Sequence, residues 1–99
     1  MKTRTEEQAA YDAARMDLAR IRVTLAKKRR QHKAARLALL AAGDEMEGEA
    51  RAAYDAASYA VYEASRDEAV ARARVSRAWV AQKKRAWVAA EAAVEKDSV

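Results

Sequence analysis

The sequence predicts an all-α protein, an antiparallel and coiled-coil-like helical hairpin made of two long alanine-rich helices. The 99 residues include two glycines and no proline, so very little interrupts a helix. Alanine, the strongest helix former, fills 28 positions. Charge is also segregated into blocks along the chain, in an order that is complementary only when the chain folds back on itself. At this length we expect one helical domain over residues 1–99.

The first helix is predicted over about residues 5–42. Thr5 and Gln8 have the spacing of a capping box, in which each side chain satisfies a backbone N–H of the first turn. An apolar seam with alternating spacings of three and four residues then follows, as in coiled coils. Its polar members, Lys28 and His32, are typical of positions that set register or contact a partner. The seam residues are Tyr11, Ala14, Leu18, Ile21, Leu25, Lys28, His32, Ala35, Leu39 and Ala42.

A turn at residues 43–46 is predicted to follow, because glycine just past a last helical turn is a common stop signal. The second helix is expected to run from about residue 46 to 96. Its seam begins with Tyr54, Ala57, Val61 and Ala64, and then meets Glu68, Gln82 and Arg85. Ser65 and Glu68 have the spacing of another capping box, so the pattern leaves open a kink or break near residue 65.

The charge pattern supports the hairpin. Residues 18–43 carry eight basic groups and no acid, residues 44–68 carry eight acids and two basic groups, and residues 69–90 carry six basic groups and no acid. Folding at Gly43 places residue i near residue 91 − i, which brings the first basic block beside the acidic block. The second basic block then faces a nearly neutral N-terminal stretch. We therefore expect the open end of the hairpin to be positive.

The predicted core is thin. The large aliphatic side chains number 17: five Leu, one Ile, eight Val and three Met. Burying one of them contributes about 1.5–3 kcal/mol, and the ordering of a small chain offsets nearly all of that gain. We therefore expect the core to be completed by dimerisation or by partner binding, in a homodimer or an obligate complex.

The sequence lacks the residues that several classes of function require. It has no cysteine for a disulfide framework or a thiolate site, and cytoplasmic localisation is expected. The strongly apolar stretch at residues 37–42 is far shorter than the ~20 residues of a membrane span. His32 is the single histidine, and no glycine-rich phosphate loop is present. We expect no enzymatic activity, no cofactor, no metal site and no membrane partner.

A basic, tryptophan-containing segment is the main candidate site. Trp79, Lys83 and Trp87 are spaced at i, i+4 and i+8, which places a cation between two indoles on one helix face. Such a face suits a protein contact, where Trp and Arg are enriched, or nucleic acid, where basic groups meet phosphates. Alternatively, the tryptophans anchor the core and leave a solvated basic face behind. The candidate partner-binding residues are Arg74, Arg77, Trp79, Lys83, Lys84, Arg85 and Trp87.

A second basic face is predicted on the first helix, where the acidic block is expected to lie alongside. Its residues are Lys27, Lys28, Arg29, Arg30, Lys33 and Arg36. Together the two faces lead to the hypothesis of a non-enzymatic helical interaction module that acts on a protein or nucleoprotein target, with an acidic protein surface as partner. Small size and uneven charge are typical of inhibitors or adaptors such as mobile elements encode. Direct DNA or RNA binding and a purely structural helical oligomer are the alternatives.

Overall fold

A computed structural model describes residues 5–43 and 48–97, and the regular secondary structure in these ranges is α-helix. Helix α1 spans Glu6–Ala42 and helix α2 spans Glu49–Asp97. Hydrogen bonds join Glu7 to Arg85 and His32 to Ser58, so the start of α1 lies beside the end of α2. The two helices thus pack antiparallel, in a rod 80 Å long. The prediction of two long helices is confirmed.

The structure contains both of the signals that were predicted to begin and end α1. The Gln8 backbone N–H donates to the Thr5 hydroxyl at 3.2 Å, and the Thr5 N–H donates to the Gln8 side-chain oxygen at 3.1 Å. At the other end Gly43 has φ 80°, a conformation that costs glycine little, and its N–H donates to the Leu40 carbonyl. The rest of the predicted turn and the predicted helix start at residue 46 fall outside the described residues.

The predicted seam of α1 is the surface that packs on α2. Nine of its ten residues are buried or half-buried, and the tenth, Ala42, is exposed at the end of the helix. Lys28 and His32 are both half-buried, and the His32 Nε2 is hydrogen-bonded across the interface to Ser58. Because the three-four spacing keeps one stripe facing the partner along a long helix, even these polar residues stay in line.

The seam of α2 extends further than its sequence indicated. It continues beyond Ala64 in three-four steps to Gln82, and every residue in these steps is at least half-buried. Glu68 is half-buried within it, whereas Arg85 is exposed. α2 is a single helix through Ser65. The capping-box spacing there does not end the helix, because the residues on both sides share one continuous seam.

The core is small and pairs large residues with small ones. Leu18, Leu25, Ala64 and Ala71 are the buried apolar residues. Antiparallel register places Leu18 opposite Ala71 and Leu25 opposite Ala64, since both pairs sum to 89 and the cross-helix hydrogen bonds sum to 90 and 92. A leucine facing an alanine lets the helices approach closely and leaves no room for a larger core.

A two-helix rod exposes much more surface than a compact domain. The chain exposes 8268 Å², whereas a compact 11.0 kDa protein exposes about 5,600 Å². Large apolar residues lie on both outer sides, among them Met16 and Val23 on α1 and Val80 and Val94 on α2. Within the described ranges, neither helix has a stretch long and apolar enough to cross a membrane.

Candidate functional site

Ion pairing between the helices is sparse. Among the described residues, the pair of Glu7 and Arg85 joins α1 to α2. The other three pairs lie within single helices: Asp17 with Arg20, Arg51 with Asp55, and Glu68 with Arg72. Over their described residues, the acidic block and the first basic block therefore lie side by side, as predicted, without a close cross-helix ion pair. Much of the basic charge stays available to a partner.

The open end of the hairpin is closed by the Glu7–Arg85 contact. An Arg85 Nη1 donates to Glu7 Oε2 at 2.6 Å. The pKa of Glu7 is held below its ordinary value, first by a hydrogen bond from its own backbone N–H and then by Arg85, against an opposing effect of desolvation. Arg85, a predicted partner-binding residue, is thus engaged within the chain. Thr5 and Ala89 line the same groove, which marks where α1 begins against α2.

Neither tryptophan packs in the seam. Trp79 is 47% exposed and Trp87 is 67% exposed, although the seam residues around Trp79, Ala78 and Gln82, are half-buried. In this hairpin the two indoles are therefore not core anchors. Lys83 places its Nζ 5.6 Å from the centre of the Trp79 ring, within the range of a cation–π contact. The predicted proximity of the Lys83 ammonium to an indole is therefore present at Trp79.

The remaining predicted site residues divide between two sides of α2. Arg77 and Lys84 border an open groove floored by Val80 and Ala81, on the side away from α1. Arg74 is exposed one position before the seam residue Val75, and so does not belong to that groove. The structure thus brings Arg77, Lys84 and Trp87 to the same outer side, and separates Arg74 and Arg85 from them.

A second seam runs along this outer side, which we call the outer face of α2. Its members follow one another at spacings of four and three residues, the repeat of a coiled-coil surface. Trp87 and Val94 lie in a further groove that ends beside Glu91 and Glu95. Sequence reasoning missed Val80, Ala90 and Val94, although the same three-four search applied away from the first seam would have found them. The outer face consists of Ser76, Val80, Lys83, Trp87, Ala90 and Val94.

The predicted basic run of α1 does not form a single face. Lys28 is half-buried in the seam, whereas its basic neighbours are exposed. Arg29 and Arg36 directly follow the seam residues Lys28 and Ala35, so they lie along one edge of the hairpin. Arg30 and Lys33 fall on the outer side of α1, away from α2. The run is therefore split between the seam, an edge and an outer surface.

His32 has a structural environment. Its Nε2 is hydrogen-bonded to the Ser58 hydroxyl at 3.1 Å, and its ring centre lies 5.1 Å from that of Tyr54. Both partners are on α2, so this polar group fixes the register of the two helices. In residues 5–43 and 48–97, no group of three or more histidine or acidic side chains is arranged to hold a metal ion.

Comparison of the chain with protein-family models, with curated proteins and with solved structures gave no match. The surfaces of the hairpin are therefore the basis on which its function is inferred.

Proposed function

We propose that the chain is a non-enzymatic helical interaction module that binds a larger macromolecule through the basic, tryptophan-containing outer face of α2. The observation that carries the proposal is the position of Trp87, which is largely exposed within a second three-four repeat on the side away from α1. A helix with such a repeat on two sides can pack against two other helices at once. One is α1, and the second belongs to the partner.

The chemistry of the face favours a protein partner with an acidic surface. Its exposed apolar members are Val80, Trp87 and Val94, and tryptophan is one of the residues most enriched at interface hot spots. Arg77 and Lys84 border them and are exposed, so they complement carboxylates on a docked helix and speed its association. The partner is then an amphipathic helix that carries acidic residues beside its apolar stripe.

The thin core supports an obligate complex or a homodimer as the working state. The surface beyond that of a compact domain is roughly 2,600 Å², whereas a standard interface covers about 800 Å² on each partner. The excess exposed area is thus large enough for an inhibitor or adaptor that occupies a surface of a larger protein or nucleoprotein assembly. Cytoplasmic action is part of the proposal, consistent with a sequence free of cysteine.

The test is site-specific photo-crosslinking in the native host, from a crosslinker placed at Val80. We expect one specific protein adduct, which is lost when Trp79 and Trp87 are both changed to alanine. A matched control changes Tyr59 and Tyr62, two equally exposed aromatic residues outside the basic segment, and should retain the adduct. Both variants should keep the helical circular dichroism of the wild type.

Stability separates a binding role from a core role for the tryptophans. Replacement of a core Trp by Ala costs about 3–5 kcal/mol, whereas we expect a cost below about 1 kcal/mol for these exposed residues. Melting that falls by the core amount, or an adduct that survives the double tryptophan change, would reject the outer face of α2 as the binding surface.

Two alternatives have support of their own. Direct DNA or RNA binding is favoured by the basic blocks, because few of their groups pair with acids across the helices. A structural helical oligomer is favoured by the large exposed area. Sedimentation and melting over a hundredfold range of concentration detect the oligomer, since association makes the midpoint depend on concentration.

A further inference from the structure

Four arginines of α1 occur at intervals of seven residues along one edge of the hairpin. Each directly follows a seam residue, so all four take the same position relative to α2. All four are exposed. At a rise of 1.5 Å per residue, the row from the first to the last is about 31 Å long. We call it the arginine edge, and its members are Arg15, Arg22, Arg29 and Arg36.

The register shows which part of α2 borders this edge. In an antiparallel pair, residues that follow the seam on one helix lie beside those that follow it on the other. This places Ser65 beside Arg22 and Ser58 beside Arg29, in agreement with the hydrogen bond between Ser58 and His32. Farther along, Arg72 adjoins Arg15. The border from α2 thus adds hydroxyl groups and a further arginine.

The acids of α2 lie mostly away from the arginine edge. Asp55 and Glu63 occupy outer positions of the helix, and Asp67 directly precedes the seam, on the opposite edge. Glu68 is in the seam and forms its ion pair with Arg72, with the closest atoms 3.8 Å apart. Most of the described acids of this block therefore face away from the arginine edge.

Among the described residues, no acid forms a close ion pair with the last three arginines of the row. Arg22, Arg29 and Arg36 form no ion pair with any residue in the described ranges. Arg15 lies over the Tyr11 ring, with its guanidinium carbon 5.6 Å from the ring centre, and stays exposed. Like charges in a row repel one another, and an anionic ligand of similar length would relieve that repulsion.

We propose that the arginine edge binds the phosphate backbone of duplex nucleic acid. Guanidinium groups match phosphate oxygens in a two-pronged geometry. The row spans nearly one turn of a B-form duplex, about 34–36 Å, and such a duplex carries one negative charge per ~1.7 Å. This goes beyond the proposed protein contact, because it uses an edge of the hairpin instead of the outer face of α2.

Two features of the edge favour a duplex over other anions. The row itself, from Arg15 to Arg36, carries no exposed aromatic side chain, and Trp79, the next α2 residue on this edge after Arg72, lies beyond its end, so unpaired bases have no continuous platform on which to stack. The positions along it are arginine or serine and lack the apolar anchors of a protein interface. Contacts to backbone alone carry no base readout, so binding is independent of sequence.

The test measures fluorescence anisotropy of labelled 24-base-pair DNA and RNA duplexes, titrated with the full chain at 50 to 200 mM salt. The test variant is Arg22→Gln with Arg29→Gln. Each lost phosphate contact lowers the salt slope by about 0.9, so this variant should lose about 1.8 in slope and bind about 60-fold more weakly at 100 mM salt. The proposal is supported if the wild type binds either duplex and the test variant shows these losses in salt slope and affinity.

The matched control is Arg30→Gln with Lys33→Gln, which removes the same charge from the outer side of α1 and should weaken binding less than about threefold. Equal losses in both variants would overturn the proposal, as would no duplex binding at 50 mM salt or tighter binding of a single strand. The proposal would also be overturned if poly-glutamate bound the chain as tightly as the duplex does and the test variant lost the same affinity for it. The arginine edge would then be a site for acidic proteins.

The two proposals can fail separately. Changing Trp87 alone to alanine should leave duplex binding unchanged, because Trp87 lies on the outer face of α2, whereas the test variant of the arginine edge should keep the protein adduct formed from Val80. Circular dichroism and melting of every variant verify that the hairpin is intact.

Discussion

Replacement of Leu25 by alanine tests the packing of the hairpin most directly. Leu25 is 2% exposed and lies opposite Ala64, whose methyl group is too small to fill the space left by the leucine side chain. Loss of three carbon groups removes about 2.4 kcal/mol of transfer free energy, and the cavity adds to it. We therefore expect a destabilisation of about 3 kcal/mol. In a chain of this size it should lower the melting temperature by about 12–24 °C.

The control is the same substitution at Leu40, which is 67% exposed on the same helix. It should change the free energy of unfolding by less than about 0.5 kcal/mol, since it removes no packed surface. Both are measured by urea unfolding followed by circular dichroism at one protein concentration. Equal destabilisation by the two changes would show that α1 packs on α2 through a different side, and the seam described above would be wrong.

Two further predictions concern the close helix approach and the open end. Changing Ala71 to leucine should destabilise the hairpin by about 1–3 kcal/mol through overpacking, whereas the same change at the exposed Ala73 should be nearly neutral by urea unfolding. Changing Glu7 to glutamine should lower stability at pH 7, and a matched change at Glu6 should do so less. Because the pKa of Glu7 is lowered by folding, its contribution is present above the ordinary value of 4.5 and disappears as pH falls below it through the lowered pKa. An effect of the Glu7 change that persisted undiminished at pH 2 would contradict this account of its link to Arg85.

Helix identity, the α1 boundaries and the register were predictable from sequence because each depends on local or periodic patterns. The Thr5–Gln8 box and Gly43 act within a few residues of the chain, so no tertiary information is needed to interpret them. The predicted pairing of residue i with 91 − i agrees with the pairing of His32 with Ser58. This pairing could be predicted because, in a hairpin, the position of the turn determines which residues of the two helices lie opposite each other.

The side on which a residue lies was harder to predict. Ser65 carried a capping signal, yet the continuous seam of α2 kept the helix intact, so packing outweighed a local preference. The tryptophans could be assigned to the core or to a surface until the position of the seam was known. The charge blocks predicted how the chain folds back but not the side of the helix on which each charged residue lies, so the arginine edge was identified only from the structure.

The unequal lengths of the two helices have a consequence for the motions of the chain. Thr5, the N-cap of α1, lies beside Ala89, and α2 continues from there through residues 90–97 to its end. A helical segment this short is only marginally stable in water by itself. Its amide hydrogens should therefore exchange with solvent fastest among those of α2, through local opening that leaves the rest of the hairpin folded. A partner docked against Val94 would slow that exchange, and part of its binding free energy would be spent on ordering this end of the helix.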